Sequence, residues 1–457
     1  MKCECGEHTN PVGVAEQSIN VGELLEKAEI KLGESIPDIK GVLGLISKNK
    51  TPESIEKGAL RAKHDVFVFK DGTIRFDMSN VPLTHFKPKE IGASIEKMRE
   101  MGYTHDYHGK PLKSEDQIVE LKVQDFVVSK SCMEYIFRAA KFVDELLEKF
   151  YDLKPFYKPK NSEDMIGHLI IGLSPHTSAG VLGRIIGWTN ANAGFAHPFY
   201  HAAKRRNAAG DEDCVMLLLD ALLNFSRSYL PDKRGGIMDA PLVLTTRIEP
   251  NEIDKEALNF DTMSRYPLEL YEAGRKNMHP KEIEKIMENV KKKVGTEKQY
   301  ENFSFTMDTS NIACGPLLSS YKTLGSMEDK FNAQLNLAGK IRAVDTGDMV
   351  SKIINTHLLP DMIGNLRTFA TQKFRCTKCN TIYRRIPLKG VCLKCGGNIV
   401  MTVSEGGVKK YLKMTKDAAE KYNVSNYTMQ RVLLMENAIN SLFHSDKINK
   451  CRLEDFL

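Results

Sequence analysis

Apolar positions recur at helical spacing over Val21–Leu32, which predicts a short amphipathic helix. The segments Gly41–Lys50 and Thr51–His64 then lead into DVFVFKDGTIRFD at 65–77, where two β-rich runs flank Lys70-Asp71-Gly72. Because glycine readily takes positive φ, that pattern predicts a hairpin. Helices are predicted over Ile91–Met101 and Ser129–Tyr151, and a Lys/Pro-rich connector, Leu153–Lys160, marks a boundary after them. Residues 164–245 are apolar and glycine-rich, and short β-branched runs punctuated by glycine indicate strands that meet closely, as in a small barrel. The pattern then turns charged and helical, with Lys281–Val294 reading as a solvated helix and Gln334–Val344 as another. Two C-terminal helices, Tyr411–Tyr422 and Ser425–Phe443, are separated by Asn423, a helix-ending residue, with Ser425 as the N-cap of the second.

Composition adds limits. The 457 residues carry 65 Lys plus Arg against 59 Asp plus Glu, a formal +6. No run reaches the roughly 18–20 apolar residues of a spanning helix; the nearest, Val215–Tyr229, is broken by Asp220, Asn224, Ser226 and Arg227. A membrane partner is therefore not expected. The N-terminus lacks a secretory apolar core, and ten Cys are too sparse for a disulfide scaffold, so a cytoplasmic location is expected. Charge counted by segment is more informative. Residues 361–410 hold ten basic side chains and two acidic ones, while the other 407 residues sum to −2. A focused basic patch fits a polyanionic partner, and equally a solubilising face.

The strongest chemical motif is Cys376-x2-Cys379-x12-Cys392-x2-Cys395, whose two knuckles supply four soft thiolates for a closed, structural zinc site. Arg384, Arg385 and Lys389 lie on the hairpin between them. A second motif is Lys204-Arg205-Arg206-Asn207-Ala208-Ala209-Gly210-Asp211-Glu212-Asp213, preceded by His197 and His201. Acids beside bases around a glycine suit metal-dependent phosphoryl transfer, since carboxylates bind Mg²⁺ and bases bind phosphate. The same acids would equally serve as the first turn of a helix beginning near Cys214. In Tyr103–Gly109, His105, Asp106 and His108 read more readily as a hydrogen-bonded surface loop than as a metal site.

The runs HPFYHAAKRRN (197–207), GDEDCVMLLLDALLNFSR (210–227) and KRGGIMDAPLVLTTR (233–247) closely resemble the large subunit of archaeal family D DNA polymerase. So do FKDGTIRFD (69–77), PLTHFKPKEIG (82–92), IGHLIIGLSPHTSAGVLGRIIG (166–187) and RCTKCNTIYRRIPLKGVCLKCGG (375–397). The resemblance covers essentially the whole chain and the C-terminal part of a longer polypeptide. It implies an α+β fold with a double-psi β-barrel catalytic core, helical insertions, a zinc ribbon and a C-terminal helical pair. It also implies nucleotidyl transfer from dNTPs to a primer 3′-hydroxyl on primer-template DNA, with Mg²⁺ and Zn²⁺ as cofactors. The family's active-site motif, Asn-x-Asp-Gly-Asp, falls on Asn207, Ala209, Gly210 and Asp211, so Asp211 is the surviving Mg²⁺ ligand and Ala209 replaces the other. Three explanations stand: a deliberate inactivating substitution, a degenerate paralogue, or ligation rebuilt around Asp211 and Asp213. Lys204, Arg205, Arg206, Lys233, Arg234, Arg384, Arg385 and Lys389 are the expected nucleic-acid contacts.

The expected organisation is a partial zinc knuckle over 1–20 (Cys3, Cys5), an α+β region over 21–160 and the barrel over 161–360. The zinc ribbon over 361–410, the helical pair over 411–446 and a tail over 447–457 complete it. Leu453, Phe456 and Leu457 in that tail resemble a sliding-clamp-binding peptide. The implied partners are the small, exonuclease subunit, the upstream part of the large subunit and the clamp. The rival reading is a non-catalytic DNA-binding or assembly module, which Ala209 favours.

Overall fold

Six strands of the first half close into a ring, and the residues that line it explain the closure. The computed structural model describes residues 18–45, 47, 50–207, 210–230, 237–306, 311–315, 317–318, 323–401 and 403–443. The chain divides into two compact units, Met1–Ser319 and Ser320–Leu457. In the first, β1 (Phe76–Pro82) enters the ring, while β2 (His85–Phe86) and β3 (Val119–Glu120) form a separate two-stranded ribbon. The ring is completed by β4 (Asp125–Ser129), β5 (Leu169–Leu173), β6 (Ala179–Thr189), β7 (Ala193–Ala196) and β8 (Glu212–Leu217). Its order is β4-β7-β1-β8-β5-β6 and back to β4, with β9 (Val243–Thr245) added in parallel outside β6. The β1/β7 and β4/β6 pairs are parallel and the other four antiparallel. Full closure leaves these six strands no free edge.

The glycines of the apolar stretch act as expected from the sequence. Tyr200 lies against Gly172 of β5 and Gly183 of β6, and a Cβ on either glycine would come within 2.6 and 2.8 Å of its hydroxyl oxygen. That hydroxyl donates to the Val181 carbonyl at 3.0 Å, so a buried aromatic ring fills the space that two missing side chains leave. One face of the helix Lys130–Lys149 covers the ring with Met133, Ile136, Ala140, Val143 and Leu147, the i, i+3, i+4 stripe expected of an amphipathic helix. Its N-cap Ser129 accepts from the Cys132 amide at 3.1 Å.

Several elements differ from the sequence reading. The 69–73 turn forms, with Phe69 N donating to Thr73 O at 2.7 Å and Gly72 at φ 97, but the first arm pairs only through a Val68/Ile74 bridge. The second run instead continues into β1, which β7 and β8 claim on both sides. Asp220 latches the turn by accepting from Ile74 N at 2.7 Å. The helix expected near Cys214 is strand β8, and the helix starts only at Leu218, because Cys214–Leu217 are needed to bridge β1 and β5. Lys281–Val294 is not one helix: Pro280–Ile283 is a single short helix, and Thr262 N and Val290 N then bond Glu288 O and Phe260 O across a neighbouring segment. Tertiary pairing there overrides a helical propensity. The Tyr103–Gly109 loop is hydrogen-bonded, Asp106 accepting from the His108 and Lys110 amides. The barrel also draws β1 and β4 from before residue 160, so the expected 160/161 boundary cuts through it.

The second unit is a helical cluster plus a small sheet. Helices Met327–Ala338, Leu359–Thr371, Leu412–Lys421 and Asn426–Phe443 share a core of Phe331, Leu335, Leu359, Met362, Met414, Ala418 and Val432. Asn423 ends its helix at φ 48 and Ser425 Oγ accepts from Thr428 N at 3.3 Å, as the sequence predicts. The Gln334–Val344 helix is shifted to Met327–Ala338, capped by a reciprocal Ser326/Asp329 box. A π-turn over Ile354–Leu358 precedes Pro360, whose ring cannot supply an amide to a regular helix. The basic segment therefore begins inside a helix. Strands β10 (Phe374–Cys376), β11 (Ile382–Tyr383) and β12 (Ile399–Val400) form the ribbon itself. No helix of the described residues is long and apolar enough to cross a membrane.

Gly172→Ala and Gly183→Ala are each expected to cost about 1–3 kcal/mol through overpacking against Tyr200. Gly274→Ala, in open space on a helix, is expected to be neutral or stabilising by up to about 1 kcal/mol. Denaturant unfolding of the three variants checks both.

Candidate active-site loop and metal centre

The loop between β7 and β8 begins at His197, whose Nδ1 accepts from Phe199 N at 3.1 Å and caps the helix Pro198–Ala203. Every residue of that helix is buried. The chain then turns sharply, with Arg205 at φ 64, a left-handed conformation uncommon outside glycine. Three consecutive bases are thereby sent in three directions. Lys204 points inward, Arg205 outward and Arg206 across the loop.

Lys204 is fully buried and its Nζ donates to Asp213 Oδ2, and to His201 Nδ1 at 3.1 Å. His201 Nε2 in turn donates to the Val81 carbonyl at 3.0 Å. Burial holds His201 well below the ordinary histidine range, which keeps it neutral and leaves Nδ1 free to accept. Burial likewise pushes the Lys204 ammonium down to about 7, against smaller opposing effects of Cys214 and Asp211. The Lys204–Asp213 pair bears on two expectations. Lys204, expected at a phosphate, and Asp213, expected at the catalytic site, are instead both fully buried and in contact with each other. Asp213 sits opposite buried Met78 in the β1/β8 register. His197 is also neutral, with burial holding it at about 3.

Asp211 faces the rim. Arg206 Nε and Nη2 bind its two carboxylate oxygens at 2.8 Å each, while Nη1 donates to the Pro175 carbonyl at 2.9 Å. Behind the loop stands Asn80 of β1, fully buried. Its side chain accepts from Asp211 N at 2.8 Å and donates to Asn207 O at 2.9 Å. Its main chain donates to Asp211 O and accepts from Gly210 N, both at 2.9 Å. One asparagine thus fixes three loop residues, while Gly210 at φ 74 supplies the turn. Sequence reading missed Asn80. Its clue was strand parity, since Met78 and Asn80 share the inward face of β1 and a buried polar side chain there must find partners.

Arg205 and Asn207 are exposed, and Arg205 lines a groove of about 350 Å³ together with Ser178, Thr245 and Glu249. Ala209, Lys233, Arg234, Cys3, Cys5, Leu453, Phe456 and Leu457 lie outside the described residues. For magnesium the described carboxylates do not make the expected site. Asp211 is already held by Arg206, Asp213 is sealed with Lys204, and a methyl at Ala209 offers no oxygen.

Zinc is a different case. The four cysteine sulfurs lie within 4.8 Å of one another, with Cys376–Cys395 at 3.4 Å and Cys379–Cys392 at 3.5 Å. A tetrahedral ZnS₄ centre needs sulfurs roughly 3.8 Å apart, so the set fits. Each knuckle turns through a residue of positive φ just after its second cysteine, Asn380 at 55 and Gly396 at 69. Tyr383 Oη lies 3.1 Å from Cys392 Sγ and accepts from Leu393 N, and its hydrogen bond favours the thiolate, lowering that thiol to about 6. Arg384, Arg385 and Lys389 are exposed on this ribbon.

Residues 33–330 match the family described as DNA polymerase II large subunit DP2, catalytic domain. The chain belongs to this family. Residues 370–427 match the zinc finger domain of DNA polymerase-epsilon, in keeping with the four-cysteine cluster. Relatives named DNA polymerase II large subunit are 54% identical in Methanocella arvoryzae and 55% in Archaeoglobus fulgidus, each covering all of this chain. In Pyrococcus furiosus the identity is 57% over 93% of the chain. The chain spans between a third and about two fifths of the length of these DNA polymerase II relatives, 42%, 40% and 34% respectively.

Asn80→Ala is expected to destabilise the DP2-family barrel by about 1–3 kcal/mol, the cost of leaving buried loop groups unpaired. Thermal unfolding beside Asn80→Asp, which keeps the acceptor for Asp211 N, checks this. Chelation of zinc is expected to unfold the ribbon and leave the barrel folded, because the metal supplies the small sheet's stability. Cysteine alkylation with and without chelator, alongside far-UV circular dichroism, reads out the two separately.

Proposed function

We propose that this chain is the C-terminal part of the large catalytic subunit of a replicative DNA polymerase, with the transfer site on the β7–β8 loop. The observation that carries this is the placement of Asp211 on the barrel rim, held by Asn80 and flanked by the exposed Arg205 and Asn207. The family match and the closed six-strand ring with two parallel pairs support a double-psi barrel. In this reading primer-template DNA and dNTPs meet the loop, with Arg205 beside a phosphate. Arg384, Arg385 and Lys389 of the zinc ribbon face the nucleic-acid backbone. Mg²⁺ belongs to the reading as the ion that a restored carboxylate pair would hold. The upstream part of the subunit, the small subunit and a sliding clamp are its proposed partners.

Ala209 limits the chain as written. Loss of one carboxylate from a two-ion site removes several kcal/mol of transition-state stabilisation. The burial of Asp213 gives no support to a site rebuilt on Asp211 and Asp213. One observation favours the second reading, a non-catalytic DNA-binding or assembly module: the sole rim carboxylate described in this loop motif's aspartates is already neutralised by Arg206.

Primer extension separates the two. In a complex with the upstream part and the small subunit, Ala209→Asp is expected to raise Mg²⁺-dependent nucleotide incorporation at least about 100-fold over the chain as written. Equal, negligible extension by both in a correctly assembled complex establishes the non-catalytic reading instead.

A further inference from the structure

We propose that Leu153–Lys160 is a contact for single-stranded nucleic acid, with Phe156 stacking on a base and Lys154, Lys158 and Lys160 taking the neighbouring phosphates. The inference rests on the proposed polymerase reading for the identity of the polyanion, and it concerns a surface which that reading does not use.

The segment holds three lysines and no acidic residue, with the exposed acids Asp152 and Glu163 bounding it. Lys154, Phe156, Lys158 and Lys160 are exposed while Pro155, Tyr157 and Pro159 are half-buried, the period-two alternation of extended chain. Phe156 is 63% exposed, yet its backbone is tightly held. The buried Asp144 accepts from the amides of Phe156 and Tyr157 at 2.8 Å and from that of Lys158 at 2.6 Å. Asp164 accepts from the amides of Lys160 and Asn161 at 2.7 and 3.1 Å, and Leu153 N donates to Leu147 O at 2.8 Å. Tyr157 meets Phe156 edge-on with ring centroids 5.0 Å apart, and His168 lies 5.0 Å from Tyr157 and 6.4 Å from Phe156. A pinned backbone thus holds an aromatic ring in water, where it is available to a planar partner.

The chemistry of this edge selects the partner. Pro155 and Pro159 have no amide, and the amides of Leu153, Phe156, Tyr157, Lys158 and Lys160 are already bonded, so at most Lys154 is left to pair with an added strand. The centre of a protein interface is poor in lysine, whereas here lysines stand on both sides of the ring. Nor are these ammoniums spent. Lys149, just upstream, is tied to Glu34 and Glu145, but among the described residues no ion pair engages Lys154, Lys158 or Lys160. Cations alternating with a stacking ring suit a single strand, whose bases, unlike those of a duplex, expose their faces. The five residues of β5, about 17 Å of extended chain, separate His168 from the turn at Pro175 that Arg206 binds. The strand held here is therefore an unpaired extension beyond the β7–β8 loop rather than the base pair at it.

Fluorescence anisotropy of a labelled oligothymidylate of about 12 nucleotides, titrated with the zinc-loaded 457-residue chain, tests this without requiring activity. The variants are compared in the chain as written and with Arg384→Gln, Arg385→Gln and Lys389→Gln added, so that the ribbon does not mask the effect. Phe156→Ala is expected to weaken binding about tenfold and Phe156→Trp to retain it. Joint replacement of Lys154, Lys158 and Lys160 by Gln is expected to reduce the slope of log affinity against log salt by about 2, at about 0.7 per single-strand phosphate. Affinity for a blunt duplex is expected to be unchanged by Phe156→Ala, because paired bases offer no face to the ring. Single-strand affinity unchanged in Phe156→Ala, or an equal loss for the duplex, overturns the inference and leaves the polymerase reading standing. Unchanged affinity together with failed assembly of Phe156→Ala with the upstream part overturns it in favour of a protein contact. A chain as written that binds no single strand at all overturns the inference and the reading beneath it.

Discussion

Everything at the candidate site depends on the parallel pairing of β4 with β6, which turns a curved sheet into a ring. Without it β4, and β6 beyond the stretch that β9 covers, would be edges, and the loops between strands would have no fixed rim. Closure forces a small interior, and a small interior forces glycine at Gly172 and Gly183, where Tyr200 takes the space. The helix that delivers Tyr200 is the same short helix that ends at the Lys204 turn. Packing thus reaches the chemistry directly: the ring seats Tyr200, Tyr200 seats the helix, and the helix aims three bases. The register of β1 against β8 adds Asn80 behind the loop, so the rim carboxylate is held from both flanks.

The ribbon reaches order by another route. Its strands are two or three residues long, too short to bury a core of their own. Buried Cys376 and Cys392 stand where a larger sheet would have aliphatic side chains, while Ile382, Ile386, Leu388 and Leu393 remain exposed between Arg384, Arg385, Lys389 and Lys394. A metal can replace a hydrophobic core because four thiolate bonds need only knuckle geometry. That leaves the outer face free to carry charge.

This division explains what was legible in the sequence. The cysteine knuckles are local, so spacing alone revealed them; the Asn207–Asp213 loop left two readings open until the family resemblance chose one; and the glycines of 164–245 betrayed the barrel because close approach is written in the residue that permits it. Asn80 was not legible, since it lies 131 residues from the amide it binds and its meaning exists only once β1 and β8 pair. The directions of Lys204, Arg205 and Arg206 were equally hidden. Three bases in a row look alike until a left-handed turn separates them. Lys281–Val294 failed for the opposite reason: its local charge pattern was clear, but pairing of 288–290 with 260–262 outweighed it.

The two acid–base pairs of the loop differ in what they can do. Lys204–Asp213 is fully enclosed, and breaking it would leave an uncompensated charge in the interior, a cost of about 3–5 kcal/mol. It behaves as framework. Arg206–Asp211 is only partly shielded and its arginine reaches solvent, so water and salt screen it and breaking it costs far less than breaking the enclosed pair.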